Sequence, residues 1–468
     1  MNGTIITKHD NTNANIGKSK SKSLLESLLQ PVLPEDNKFE IFQLQNQPCQ
    51  TYPLVTLPRK ASSSSSTPPM TVKVQHFFTL SHNEKIIYAL EIYVYINIPM
   101  NERSIFISKA DTNGYSDIQL NIKDITKTIL KYILSIDPNH YLQKVKPLER
   151  KKGKKSHCHR HRLIMHYTNV KDTLKILSNR LSKSFDKEKQ AELLAASHST
   201  LYLDLRFTNE QKTQLNTKIC LFTRPAGFYL FTDSDKNPKK HNLNGSGLLK
   251  WWIRIIDQLI NEEFIKQNTV AKLRVPGEDP MTVKRRFLYD QKTLQFNNWK
   301  HGDIFNGNDD DFAVSKIPLF PDDPKSRFIR ELVQQYDEDA TTNRMDLKTY
   351  WIELQERQEF KSSDLVSIIG VSGIVERLPK YIPAQEETLI CSSNRQFKYI
   401  KSYVTGEEYD TEEGAMEAYL NVKDYLKWKY NKDILLVRGE KEKYESSRLK
   451  RANNVTITLL QPRKRVKK

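Results

Sequence analysis

The sequence predicts an α/β fold: a central mixed β-sheet flanked by helices, built as a single large domain with a long basic insertion loop. Two observations lead there. Strand-like and helix-like stretches interleave without a strict strand–helix–strand period, which suits a mixed sheet. The chain has 468 residues, 38% hydrophobic and 28% charged, a composition that fits a globular core with polar additions. No run of 18 apolar residues occurs, so a membrane-spanning helix is not expected. The start lacks a charged region followed by an apolar one, so no secretory signal is read there.

Residues 1–21 are rich in Asn, Lys and Ser and read as disordered. "SLLESLLQPVLP" (23–34) reads as a short helix stopped by prolines, and "KASSSSSTPP" (60–69) as a flexible linker or loop. "LEIYVYINI" (90–98) alternates and is β-branched and aromatic, hence a strand, with "SIFIS" (104–108) as its partner. "DITKTILKYILSID" (124–137) has apolar residues at 125, 129, 133 and 136, a helical period, and Asp124 is placed to cap it. Residues 150–200 read as a mobile basic insertion holding one amphipathic helix, "VKDTLKILSNRL". "LYLDLRF" (201–207) and "KICLFT" (218–223) read as strands, and "GLLKWWIRIIDQLINEEFI" (247–265) as a strong helix. Two more helices follow, "DLKTYWIELQERQEF" (346–360) and "TEEGAMEAYLNVKDYLKWKY" (411–430). The domain is therefore expected over 22–430, with a basic tail at 431–468.

Lysine and arginine number 74 against 56 acids, a net charge of +18. Such a chain seeks polyanions: nucleic acid, phosphorylated cofactors or acidic proteins. The excess peaks at 144–162, with nine basic residues to one acid, and at the C-terminus. The terminal cluster is a nuclear-import signal, a nucleic-acid patch or a solvated tail. Cys49, Cys158, Cys220 and Cys391 form no CxxC pair, which argues against a disulfide framework or zinc ribbon. His157, Cys158, His159 and His161 tempt a metal reading. They sit in a lysine run that repels cations, so a polybasic loop is the better reading and no metal is expected. Walker A, GxGxxG and GxSxG patterns are absent, which argues against P-loop, dinucleotide-binding and typical α/β-hydrolase chemistry.

A more informative stretch is "FTRPAGFYLF" (222–231), where a strand runs into Arg224-Pro225-Ala226-Gly227. Small residues let backbone amides approach a ligand, and Arg224 offers a bidentate phosphate donor. "KNPKKHNL" (236–243) adds three lysines and His241, and "KWW" places Trp251 and Trp252 on a helix. Together these read as a pocket for a long cofactor with phosphates. "IPLFPDDPKSRF" (317–328) sets Asp322 and Asp323 before Pro324. Asp323 reads either as a helix N-cap with proline at the first helical position or as a catalytic carboxylate.

"KADTNGY" (109–115), "SIDPNHYLQKVKP" (135–147), "KICLFTRPA", "KLRVPGEDP" (272–280), "IPLFPDDPKSRFI", "WIELQERQEF" and "TGEEYDTEEGA" (405–415) resemble the fungal histone acetyltransferases that modify lysine fifty-six of histone H3. The resemblance runs from about residue 24 to the C-terminus. It implies the fold of the CREB-binding-protein type acetyltransferases, with acetyl-CoA as donor. Matching positions put the cofactor against Ala110, Asp111 and Thr112, and against Gln119, Leu120, Asn121, Ile122 and Lys123. Phe222, Thr223, Arg224, Pro225, Ala226, His241, Asn242, Leu243 and Trp251 would complete its site. The resemblance gives Asp323, with Asp322 beside it, a catalytic role, marks Lys325 as autoacetylated, and sets Tyr229 and Trp252 near the substrate lysine. It departs from the family at Asn242, where relatives carry an apolar residue, and in the His-rich insertion.

The implied function is acetyl transfer to a core lysine of histone H3, with N-terminal tail lysines as further targets, in the nucleus, in nucleosome assembly and genome stability. The implied partners are histone H3–H4 and acidic histone chaperones, which reconcile a basic enzyme with a basic substrate; weak nucleic-acid contact would come through the basic tracts. A non-enzymatic basic chromatin or nucleic-acid-binding protein is the rival, and acyl transfer to a non-histone amine is a third reading.

Overall fold

The computed structural model describes residues 22–55, 70–148, 203, 205–289, 294–305, 307, 310–335, 345–356, 365–384 and 386–442. The readings for 1–21, for 60–69, for the insertion with its His157–His161 cluster, and for the tail beyond 442 lie outside these residues. The strands are β1 (Lys38–Asn46), β2 (Cys49–Thr51), β3 (Thr71–His82), β4 (Lys85–Asn97), β5 (Glu102–Thr112), β6 (Asn216–Thr223), β7 (Val270–Arg274), β8 (Trp299–His301), β9 (Ser367–Ile374), β10 (Leu389–Cys391) and β11 (Leu435–Arg438). They form a single sheet in the order β10-β1-β3-β4-β5-β6-β9-β7-β8, with β11 beside β1 and β2 beside β3. The pairs β1–β10, β5–β6 and β7–β8 are parallel and their neighbours antiparallel. This is the mixed sheet expected.

β4 lies at the centre because its sequence, KIIYALEIYVYIN, offers apolar side chains to both faces. Ile87, Leu90, Ile92, Val94 and Ile96 enter one core, shared with helix α2 (Ile122–Ser135) and helix α3 (Gly245–Glu263). Helix α1 (Leu24–Leu29) packs on α2. Helices α4 (Pro324–Gln335) and α5 (Leu347–Glu356) form a smaller cluster against Phe222 and Ile368. On the other side of β4, Ile86 and Ala89 pack with Phe42, Phe77 and helices α6 (Asn394–Thr405) and α7 (Glu412–Tyr430). Asn83 and Glu84, with φ of 49° and 58°, make the two-residue β3–β4 turn, as the right-handed twist of a hairpin demands.

Three expectations change. The cap of α2 is Asn121, whose side chain accepts from Asp124 N and donates to its carboxylate at 2.6 Å. Asp124 therefore sits inside the first turn, where an acid suits the helix dipole. The other end of α2 is met by the buried Arg103, which donates to the carbonyls of Leu134 (3.1 Å) and Ile136 (3.4 Å); burial pushes its pKa down to about 10. The strand read at 201–207 is reduced, among the described residues, to one bridge between Leu203 and Val145. Residues 431 onward, read as tail, return to the sheet as β11, antiparallel to β1. "GVSG" (370–373) lies inside β9: a Cβ would come within 2.7 Å of Ile304 at Gly370 and 2.2 Å of Thr269 at Gly373. These glycines serve close packing inside the sheet.

Candidate active site: a cleft where two parallel strands part

β5 and β6 run parallel from Glu102/Asn216 to Ile107/Leu221, and there their pairing ends. β5 continues to Thr112 bonded to β4, while β6 continues to Thr223 bonded to β9. A cavity of about 580 Å³ opens in the fork, at the carboxyl ends of parallel strands where α/β sheets place ligands. Its walls are Ile107–Thr112, Leu221–Arg224, the loop residues Ala226, Tyr229 and Lys240–Leu243, the start of α2 from Gln119, and Leu248, Trp251 and Trp252 of α3.

The cavity gathers nearly all of the cofactor positions read from sequence: Ala110, Asp111, Thr112, Gln119–Lys123, Phe222, Thr223, Arg224, Ala226, His241, Asn242, Leu243 and Trp251. Pro225, between Arg224 and Ala226, is not among the lining residues. Tyr229 and Trp252 also line it. Trp251 and Trp252 meet edge to face, 4.8 Å between centroids. Lys240, one of the three lysines read with the pocket, also lines it; Lys109, Tyr88, Ser108 and Leu248 line it too and were not singled out from sequence. Lys109 stood one residue before the noted Ala-Asp-Thr, the one local signal for it.

Asp111 turns its carboxylate away from solvent and organises the wall. Oδ2 accepts from the backbone N–H of Tyr229 (2.7 Å), Leu230 (2.9 Å) and Phe231 (3.3 Å); Oδ1 accepts from Thr112 N (2.9 Å) and Lys240 Nζ (2.9 Å). The Asp111 and Lys240 side chains are only 4% and 5% exposed. Lys240 also donates to Ser234 Oγ at 2.7 Å, so the phosphate role read for the lysines at 236–240 does not extend to it. Gly114, at φ +84°, lies so close that a Cβ would come within 2.7 Å of Lys240 N. The Tyr229 hydroxyl donates to Arg224 O, closing the Arg-Pro-Ala turn. Burial and the nearby Asp111 charge push that phenol up to about 12, so it is protonated at neutral pH.

The aspartates divide their work. Asp323 Oδ1 accepts from Lys325 N at 3.0 Å and its backbone carbonyl accepts from Arg327 N at 3.0 Å, with Pro324 opening α4. That is the N-cap arrangement. Oδ2 takes the Lys325 ammonium at 2.7 Å, with the side chains 3% (Lys325) and 0% (Asp323) exposed, and Lys325 Nζ lies 5.2 Å from the Phe222 ring centre. Neither residue lines the cavity. Asp322, at φ +53°, points outward and pairs at 3.3 Å with Lys109, which does line it. Among the described residues no group of His, Cys, Asp and Glu is arranged to hold a metal, and no helix is long and apolar enough to cross a membrane.

Residues 25–425 match the histone acetyltransferase KAT11-type domain. The histone acetyltransferase RTT109 of Candida albicans is 33% identical over 345 residues, covering 73% of this chain and 86% of that one. The rtt109 enzyme of Schizosaccharomyces pombe is 28% identical over 287 residues, covering 54% of this chain and 70% of that one. In fold, the chain is similar to the crystal structure of Rtt109 from Aspergillus fumigatus, with TM-score 0.62 at 18% identity over 90% of this chain and all of the other.

Proposed function

This chain belongs to the KAT11-type histone acetyltransferase family and is a histone lysine acetyltransferase, and we propose that it transfers acetyl from acetyl-CoA to a core lysine of histone H3 presented by an acidic chaperone. The observation that carries this reading is the cavity itself. Segments 107–112, 119–123, 221–229 and 240–252, distant in sequence, converge on it. Its lining includes Lys123 in the first turn of α2, a place suited to phosphates. It also includes Leu120, Leu243, Leu248 and Trp251, which suit an apolar arm. Lys109, in the same lining, pairs with Asp322, and Phe222 lies against the Lys325 ammonium that Asp323 holds.

A lysine amine has a pKa of about 10.4, so roughly one in a thousand is nucleophilic at neutral pH. The site must favour the neutral amine or accept its proton. In our reading Asp322 is the carboxylate open to an incoming ammonium. Asp323 acts on the site by fixing Lys325 and the start of α4, and Tyr229 and Trp252 wall the channel. Transfer is direct: the amine attacks the thioester carbonyl, the C–S bond breaks, and the CoA thiolate leaves. None of Cys49, Cys220 and Cys391 lines the cavity, and burial pushes the Cys220 and Cys391 thiols up, against an acyl-cysteine step. Lys325 is an autoacetylated residue in this reading. A net charge of +18 opposes unaided docking of a basic histone; an acidic chaperone screens the histone and meets the basic tracts. The family supports a nuclear, chromatin-related place of action.

Mass spectrometry of H3–H4 incubated with the protein and acetyl-CoA, with and without an acidic chaperone, tests this. Acetylation of an H3 core lysine, increased by the chaperone, is expected. Acetylation confined to tails, or unchanged by the chaperone, would refute the finer reading.

A further inference from the structure

We propose that Lys109 is a self-acetylation site, its ammonium standing where a substrate lysine enters. The inference rests on the acetyltransferase reading above. Three lysines line the cavity: Lys109, Lys123 and Lys240. Lys240 is sealed between Asp111 and Ser234. Lys123 stands at the start of α2, 3.8 Å from Asp124. Of the three, Lys109 is the one that pairs with Asp322. Lys325 is buried on Asp323 outside the lining, whereas Lys109 is already in the cavity with its side chain 30% exposed.

The partners of Lys109 suit a transferable proton. Its Nζ lies 3.3 Å from Asp322 Oδ2, on a side chain 61% exposed, and such open pairs are weak and readily broken. Asp322 is held there by a left-handed backbone, φ +53°, a conformation disfavoured for a residue with a Cβ. Across the strand pair Lys109 faces Glu91 in register. Glu91 is fully buried; Oε1 accepts from Gln75 and Lys401, and Oε2 has no partner among the described residues. Lys109 is thus paired with one carboxylate, that of Asp322, as a substrate ammonium in that position would be.

The step balances. Asp322 takes a proton from the Lys109 ammonium, and the neutral Nζ attacks the thioester carbonyl of acetyl-CoA. The C–S bond breaks and CoA leaves as thiolate; the second proton leaves nitrogen as the amide forms and passes through solvent to that thiolate, giving CoA thiol and a neutral acetyl-lysine. Asp322 then sheds its proton to solvent without its cation, leaving the mouth more negative and more receptive to a histone lysine.

The test is quantitative mass spectrometry of the full chain with isotopically labelled acetyl-CoA and no histone, run folded and in urea, with a parallel reaction containing H3–H4. Acetylation of Lys109 should run at least about tenfold faster than in the unfolded chain and than at Lys123, since a positioned amine gains effective concentration. Its rate per molecule should not change on dilution, and H3–H4 should slow it. Histone acetylated with Lys109 untouched, or Lys109 modified no faster than in urea, would overturn the proposal and leave the family reading intact. Failure of both reactions would count against the acetyltransferase reading itself.

Discussion

Replacing Asp111 by Asn should loosen the wall of the cavity before it touches any chemistry. The carboxylate serves five donors: four backbone N–H groups and the Lys240 ammonium. An amide keeps one acceptor oxygen and turns an N–H₂ either at those amides or at Lys240. Lys240 is then a buried cation with only Ser234 left. Removing one partner of a buried pair costs about 3–5 kcal/mol, a large part of the 5–15 kcal/mol typical of a domain. Lys240→Met should cost less, about 1–2 kcal/mol, because Asp111 keeps its four amides. The double variant should fall short of the sum by about 1–3 kcal/mol, because the neutral amide no longer faces an unpaired charge. Urea melts of the four proteins, with hydrogen exchange of 229–243 and calorimetric titration of acetyl-CoA, give the cycle. Asp111→Asn within about 0.5 kcal/mol of the parent, with unchanged exchange at 229–231, would refute the pin.

Asp323→Asn strands the buried Lys325 ammonium and should destabilise by about 3–5 kcal/mol, with Lys325→Met in the same chain restoring much of the stability; an unchanged melting temperature with lost turnover would instead make Asp323 a base. Arg224→Ala should raise KM for acetyl-CoA on the order of tenfold, the loss of one charged hydrogen bond, with kcat nearly unchanged; a fall in kcat alone would place Arg224 elsewhere. His76 is fully buried, and burial first and His140 second push its pKa down to about 3. The unfolded chain binds that proton from about pH 6.5 downward while the fold does not, so stability should fall by about 1.4 kcal/mol per pH unit between 6.5 and 3. His82, His140 and His301 are shifted the same way. His76→Phe should flatten the slope of unfolding free energy against pH; an unaltered slope would remove His76 from the account.

The sequence by itself determined the elements with strong local pattern. Alternation made β4 and β5 legible, helical spacing made α2, α3 and α7 legible, and Asp323-Pro324 announced the start of α4. Local chemistry also marked the parts of the cavity's lining at 222–229, 240–243 and 251–252, because small residues, an arginine and paired tryptophans cluster in short stretches; 110–112 and 119–123 came from the family resemblance. What it could not carry were facts that depend on two distant segments meeting. Asn121 and Asp124 both suit a cap, and the fold chose the first. Asp111 reads as a ligand until β5 meets residues 229–231 and takes its carboxylate inward. Asp322 and Asp323 are neighbours in the chain, yet a left-handed backbone at the first sends one to Lys109 and the other to Lys325. The cleft itself exists because β5 and β6 stop pairing after Ile107 and Leu221 and follow different neighbours. Local pattern records which side of a strand is apolar; where two strands part is set by the whole sheet, and that decided the site.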